Sequence, residues 1–363
     1  MYEYANRISM RGHTVRLLHS IRRPFRKSST PVWIKRLLFY LRNVERPSWF
    51  NLREEVESKI IPEASERFMP DADVTISTWW EMAYMLSKLS ERKGVKVNLV
   101  QDHELWNGSE ELVRASYRLP VYPACVSKHL MQIVGAYADS APLYLPNAID
   151  SSVFACTIPP QNRDPLSVMM LFSPEPRKGS AFGIQALELL RARFPKLKVT
   201  LFGVHPKPKI PNWMNYQQKP ADLAGLYNQH ALFLSPSLVE GWALPLAEAM
   251  SCGCATVCTD SGGPRDYAID RRTAAVVPTH SAEAIMEALS GFIESPTHRL
   301  EVALRGMDFI QTRFSWDQNV DRLVNKTAEW SKTLRQCRSM GLNGTLREEG
   351  RPSAESQTPP VCS

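Results

Sequence analysis

The sequence has no apolar run long enough to cross a bilayer as a helix. Its start, residues 1–7, lacks the apolar core of a secretion signal, so the chain is expected to stay in the cytoplasm. Seven cysteines, odd in number and irregularly spaced, argue against a disulfide framework. Cys252, Cys254 and Cys258 cluster without a histidine or a matching second pair, so no zinc site is expected. Acidic residues are absent between Glu3 and Glu45, while the first fifty positions hold eleven Lys/Arg. That segment therefore carries +9 of a net +7, and the rest is close to neutral. Its cations alternate with bulky apolar residues: Arg22, Arg23, Phe25, Arg26, Lys27, then Trp33, Lys35, Arg36, Leu37, Leu38 and Phe39. An anionic membrane surface attracts such a segment, and a solvated basic face explains it equally well. No nucleic-acid-binding motif accompanies the charge, and no nucleic-acid partner is expected.

At 363 residues the chain can hold two domains, each with its own core. Positions 235–253 organise the reading. The apolar run 231–234, bounded by Pro236, has the length of a buried strand. Pro245 suits a first helical position, and Gly253 suits the left-handed residue after a helix end. The stretch reads strand, loop, short helix, with Glu240 in the loop and Glu248 in the helix. Free N–H groups at a helix start attract phosphate, and a carboxylate on either side can hold hydroxyls. A nucleotide sugar offers both. Two carboxylates eight residues apart also fit an ordinary surface loop before a core helix.

The whole string, Glu240-Gly241-Trp242-Ala243-Leu244-Pro245-Leu246-Ala247-Glu248-Ala249-Met250-Ser251-Cys252-Gly253, resembles the donor site of retaining glycosyltransferases of family 4, with the GT-B fold. Ala243 stands where that pattern has its second glycine. The resemblance implies an α/β protein of two Rossmann-like, doubly wound parallel-sheet domains facing a cleft. It implies that Glu248 binds the ribose hydroxyls and that Glu240 touches the donor sugar near the reacting carbon. Backbone N–H groups of Gly241, Trp242, Ala243 and Leu244 would face the phosphates, with Gly203 at a neighbouring strand end also on the donor side.

Along the chain, Tyr4-Ala5-Asn6-Arg7 through Gly12-His13-Thr14-Val15 reads as a helix running into a strand, and resembles an early GT-B helix. Relatives carry a first strand and a glycine-rich loop before it, so the first domain is expected to lack that strand. Asp71 and Asp73 form a DxD, read here as a surface turn before a strand. Residues 96–100 form the next strand, whose carboxyl end is a place for ligands. Relatives have a His or a Gln-Asp pair there, so Gln101 and Asp102 are acceptor-side candidates. His103 is a catalytic candidate, able to exchange protons near neutral pH. Pro146-Asn147-Ala148-Ile149-Asp150 resembles the bridge into the second domain. That domain alternates strands and helices, as a doubly wound sheet does.

Pro176-Arg177-Lys178-Gly179 joins a strand to a helix start and sets two cations beside free N–H groups. A departing nucleoside diphosphate needs such charge. In the family the Lys of this motif contacts the diphosphate, which makes Lys178 and Arg177 catalytic candidates. Many relatives add an Arg six residues earlier, where this chain has Phe172. Gly262-Gly263 with Asp266 resembles the family's Gly-Gly-x-x-Glu. Ser281 is a candidate N-cap for a further helix.

The expected layout is an acceptor-side domain over 1–150, a nucleotide-sugar domain over 151–313, a helix over 314–337 packing back on the first domain, and a disordered tail over 338–363. The expected activity is retaining, metal-independent transfer of a sugar from a nucleotide-sugar donor to a carbohydrate or lipid-linked acceptor. A role in cell-surface polysaccharide assembly and a peripheral place at the inner face of the plasma membrane fit it. No cofactor is needed, because the nucleotide sugar is a substrate. An impaired, binding-only relative and a nucleotide-sugar epimerase on the same fold are the alternatives.

Overall fold

The computed structural model describes residues 1–25 and 29–339. Arg26 and Lys27 of the basic segment, and the expected tail from residue 340 onwards, lie outside the described residues.

The first part of the chain runs α1 (Tyr2–Met10), β1 (Arg16–Ser20), α2 (Val32–Leu41), β2 (Glu57–Ile61), β3 (Val74–Thr78), α3 (Trp80–Leu86), β4 (Val95–Val100), α4 (Glu110–Ser116), β5 (Tyr122–Cys125), α5 (Lys128–Gly135) and β6 (Leu143–Tyr144). The second runs β7 (Ser167–Leu171), α6 (Ser180–Arg193), β8 (Lys198–Gly203), β9 (Met214–Gln218), α7 (Leu223–Asn228), β10 (Leu232–Ser235), α8 (Leu244–Ser251), β11 (Ala255–Thr259), β12 (Ala275–Val277), α9 (Ala282–Glu294) and α10 (Pro296–Arg313). A last helix, α11 (Trp316–Ser339), follows.

In the second part six strands form one parallel sheet, in the order β12-β11-β10-β7-β8-β9. Its central strands are apolar on both faces, as a covered parallel sheet requires. Along β7, Val168 and Met170 enter one apolar cluster with Leu187 of α6 and Ile285 of α9. Met169 between them points into the other, with Phe233 and Leu246. Alternation with period two thus builds helix layers on both sides. The chain leaves β7 outward to β8 and β9, then returns to β10 on the other flank. The carboxyl ends of β7 and β10 therefore border a topological switch point, where open α/β sheets bind ligands.

In the first part the parallel strands are divided rather than joined in one doubly wound sheet. β3-β4-β5-β6 form a four-stranded sheet, and β1 and β2 form a separate two-stranded sheet. Helix α11 lies against this part: Trp330 stacks on Tyr122 with ring centroids 4.2 Å apart. Arg11 binds Asp317 and Asp321, and Asn319 Nδ2 donates to the Pro146 carbonyl at 2.6 Å. One apolar cluster runs from Tyr4 and Val97 through Trp242, Tyr267 and Phe314, so the two parts share a core.

Candidate functional site

After β7 the chain makes a tight turn over Pro176–Lys178, and Gly179 enters α6 with φ +62°. A side chain at Gly179 would meet the Pro236 carbonyl oxygen at 1.9 Å. The backbone N–H of Leu238 donates to the Arg177 carbonyl at 2.7 Å. The two loops at the switch point are thereby locked together, and their side chains converge. Lys178 Nζ is 2.7 Å from Glu240 Oε1, which also accepts from Ser237 Oγ at 2.8 Å. Glu240 is buried, and its backbone is held by the turn after β11: its N–H donates to Ser261, and its carbonyl accepts from Gly263. A cation, a carboxylate and two glycine-containing turns thus meet in one place.

Glu248 sits one helical turn into α8, half-buried, and accepts from the Tyr227 hydroxyl at 3.0 Å. Burial pushes its carboxyl up to about 7, against the lowering effect of that hydrogen bond. The entry to α8 has Ala243 in the left-handed region, φ 66° and ψ 71°. Trp242 is turned into the core. Its ring is buried between Tyr267 and Phe314, and the Tyr267 hydroxyl donates to the carbonyls of Trp242 and Ala243. Trp242 and Tyr267 therefore shape the loop. Leu244 is exposed.

From the first part, the loop after β4 enters the same place. Arg177 Nη1 is 2.9 Å from Asp102 Oδ2, its Nε binds Glu175, and its guanidinium lies over the Trp106 ring at 4.9 Å. Burial raises the Asp102 carboxyl, with the Arg177 charge opposing. The carbonyl of Gln101 faces Gly241 so closely that a side chain there would stand 1.9 Å from its oxygen. His103 is turned aside: its Nδ1 lies 3.1 Å from the Tyr117 hydroxyl, and burial, then the Arg114 charge, lowers its pKa. Gly203 ends β8 against the Phe172 carbonyl and the Tyr216 hydroxyl. The Phe172 ring also meets Tyr216 edge-on. Asp266 accepts from the Tyr144 hydroxyl at 2.7 Å and from the Lys128 N–H, so it joins the two parts of the chain. Asp71 of the DxD is held by Arg92 and Lys93, as a surface turn would be. Among the described residues no group of three or more His, Cys, Asp or Glu could hold a metal.

Sequence reasoning missed Tyr227, Ser237, Trp106 and Tyr144. Each acts as a partner to a charged residue, 21 positions away for Tyr227 and 122 for Tyr144. Only Ser237 lay inside the string that drew attention to Glu240.

A model of the family described as glycosyl transferases group 1 matches residues 159–306. A sucrose synthase of Solanum tuberosum is 27% identical over 124 residues, covering 32% of this chain and 15% of that protein. A phosphatidyl-myo-inositol mannosyltransferase of Mycolicibacterium smegmatis is 26% identical over 191 residues, 47% of this chain and 48% of that protein. The chain thus spans half or less of these curated relatives. Among solved structures, Anabaena HepE in complex with UDP-glucose superposes with a TM-score of 0.65 at 13% identity, over 86% of this chain and 99% of that one. Sucrose-phosphate synthase from Thermosynechococcus elongatus gives a TM-score of 0.62 at 13% identity, over 93% and 92%. At such identities the likeness concerns the fold, which is GT-B. Residues 159–306 thus match the glycosyl transferases group 1 model, within a chain that has the GT-B fold.

Proposed function

We propose that the protein moves a sugar from a nucleotide-sugar donor to a carbohydrate or lipid-linked acceptor, with retention and without a metal, in the assembly of a cell-surface polysaccharide. The observation that carries this reading is the Lys178–Glu240 pair at the switch point, with Glu248 in the helix that follows. Without ligand, Lys178 and Glu240 neutralise each other. A donor diphosphate would draw the ammonium toward itself as charge grows on the departing oxygens, the moment at which a fixed cation is most effective. Glu240 would then be free to hold the sugar, and Glu248, backed by Tyr227, the ribose hydroxyls. For retention, the acceptor hydroxyl attacks on the face the phosphate leaves and gives its proton to that phosphate.

The test is the melting temperature with UDP, GDP, dTDP and their sugar conjugates. One nucleotide is expected to raise it by about 3 °C at a hundredfold excess over Kd. The shift should vanish in Glu248→Ala, and sugar transfer should vanish in Lys178→Ala. If no nucleotide moves the melting point, the reading is wrong.

A binding-only role has one observation in its favour. Arg177 is engaged by Asp102, Glu175 and Trp106, and Phe172 carries no charge. A nucleotide shift with no product from any donor would favour it.

A further inference from the structure

Helix α2 carries a core-type stripe on its outside. Trp33, Leu37, Tyr40 and Leu41 recur at i, i+4, i+7 and i+8, the spacing that normally faces a core. All four face solvent, with relative exposures of 69%, 51%, 71% and 69%. No residue of the helix is buried, and its more covered positions are Val32, Ile34, Lys35 and Phe39. A contiguous exposed apolar stripe of this size marks an interaction surface.

Charge decides what covers it. Cations nearer the body of the domain are engaged: Arg22 with Glu63, Arg23 with Glu81, and Arg46 with backbone carbonyls. Arg36 and Arg42, on the helix and just past it, are exposed and have no carboxylate partner among the described residues. A second copy would bring the same cations against these, which is repulsive. An apolar protein groove would leave them idle. An anionic bilayer surface uses both features, with headgroups meeting the cations and the acyl boundary taking the leucines. Trp and Tyr settle at that boundary in particular. Ten residues of helix, about 15 Å, are too short to span and suited to lying in the plane.

We propose that α2 is an interfacial anchor that lays the first domain on an anionic lipid surface. This is independent of the nucleotide-sugar reading, because the stripe shares no residue with the Lys178–Glu240 site.

The test is co-sedimentation of the full chain with vesicles of phosphatidylcholine alone, and of phosphatidylcholine with phosphatidylglycerol at about 7:3. Binding is expected with the anionic vesicles only, falling as salt is raised. The triple change Trp33→Ser, Leu37→Ser, Leu41→Ser should weaken it by about tenfold or more, and so should Arg36→Glu with Arg42→Glu. Both variants touch only exposed or half-covered positions, so they should keep the parent's melting temperature and nucleotide response. No binding to anionic vesicles at low salt would overturn the proposal, as would undiminished binding by the triple serine variant. A dimer in sedimentation equilibrium that the same variant abolishes would also overturn it, by giving the stripe to a second copy.

Discussion

At Ala243 the backbone sits in the left-handed region immediately before α8, where the family pattern has glycine. An L side chain there costs about 1–2 kcal/mol, and glycine would give back roughly 0.4–1 kcal/mol through a looser unfolded chain. Ala243→Gly should therefore stabilise the protein by about 0.5–1 kcal/mol, read as a higher urea midpoint; a lower midpoint would contradict the strain argument. Glu248 sets a pH dependence. Its carboxyl lies near 7 in the fold against an ordinary 4.5, so the folded state holds an extra proton between those values. Its contribution to stability thus falls as pH rises from about 4.5 to 7. In the proposed donor site ribose hydroxyls would donate to the ionised form, so the sign for binding is opposite. UDP affinity should rise by several-fold between about pH 6 and 8 with proton release, and Glu248→Gln should flatten the profile; calorimetry in two buffers reads both. The sequence named Ala243 and Glu248 through their motif. It held no sign of the left-handed backbone or of Tyr227, because both follow from packing between segments.

The elements that positioned the site were legible for a plain reason: β7, β10 and β11 are short apolar runs ended by turn residues, α6 opens after Gly179, and α8 closes before Gly253. β6 and β12 were not legible. With two and three residues they are too short to show alternation, and they exist through pairing with a longer neighbour. α2 was read for its charge and not as a helix; its apolar residues have the spacing of a core-packed helix, and that they face outward is visible only in the structure. The last helix shows what an element's contact contributes. Trp330 is 4% exposed and stacks on Tyr122, linking residues more than two hundred positions apart. Trp330→Ala should cost about 3–5 kcal/mol, cavity included, visible in chemical denaturation; a loss under about 1 kcal/mol would mean that α11 is not needed to hold the first part of the chain.

For the whole molecule, the candidate site gathers residues from both parts of the chain. The loop after β4 reaches across to the loops at the switch point through Asp102–Arg177, and Tyr144–Asp266 ties the far side of the same contact. Tightest of all is Gly241 against the Gln101 carbonyl, where no side chain fits. Gly241 does not have a positive φ, so its role here is space and not backbone freedom. A methyl group at Gly241 must therefore move one part of the chain against the other. A displacement near 1 Å costs a reaction about a hundredfold in rate. Gly241→Ala should raise the radius of gyration in solution scattering and cut donor turnover by about that factor. Gly291 in α9 is the control, because a methyl group there meets nothing within 4 Å. Gly291→Ala should leave turnover alone and stabilise the helix by about 1 kcal/mol. If Gly241→Ala instead turned over donor like Gly291→Ala, the contact between the two parts would be incidental, and the chemistry would have to be placed within the second domain alone.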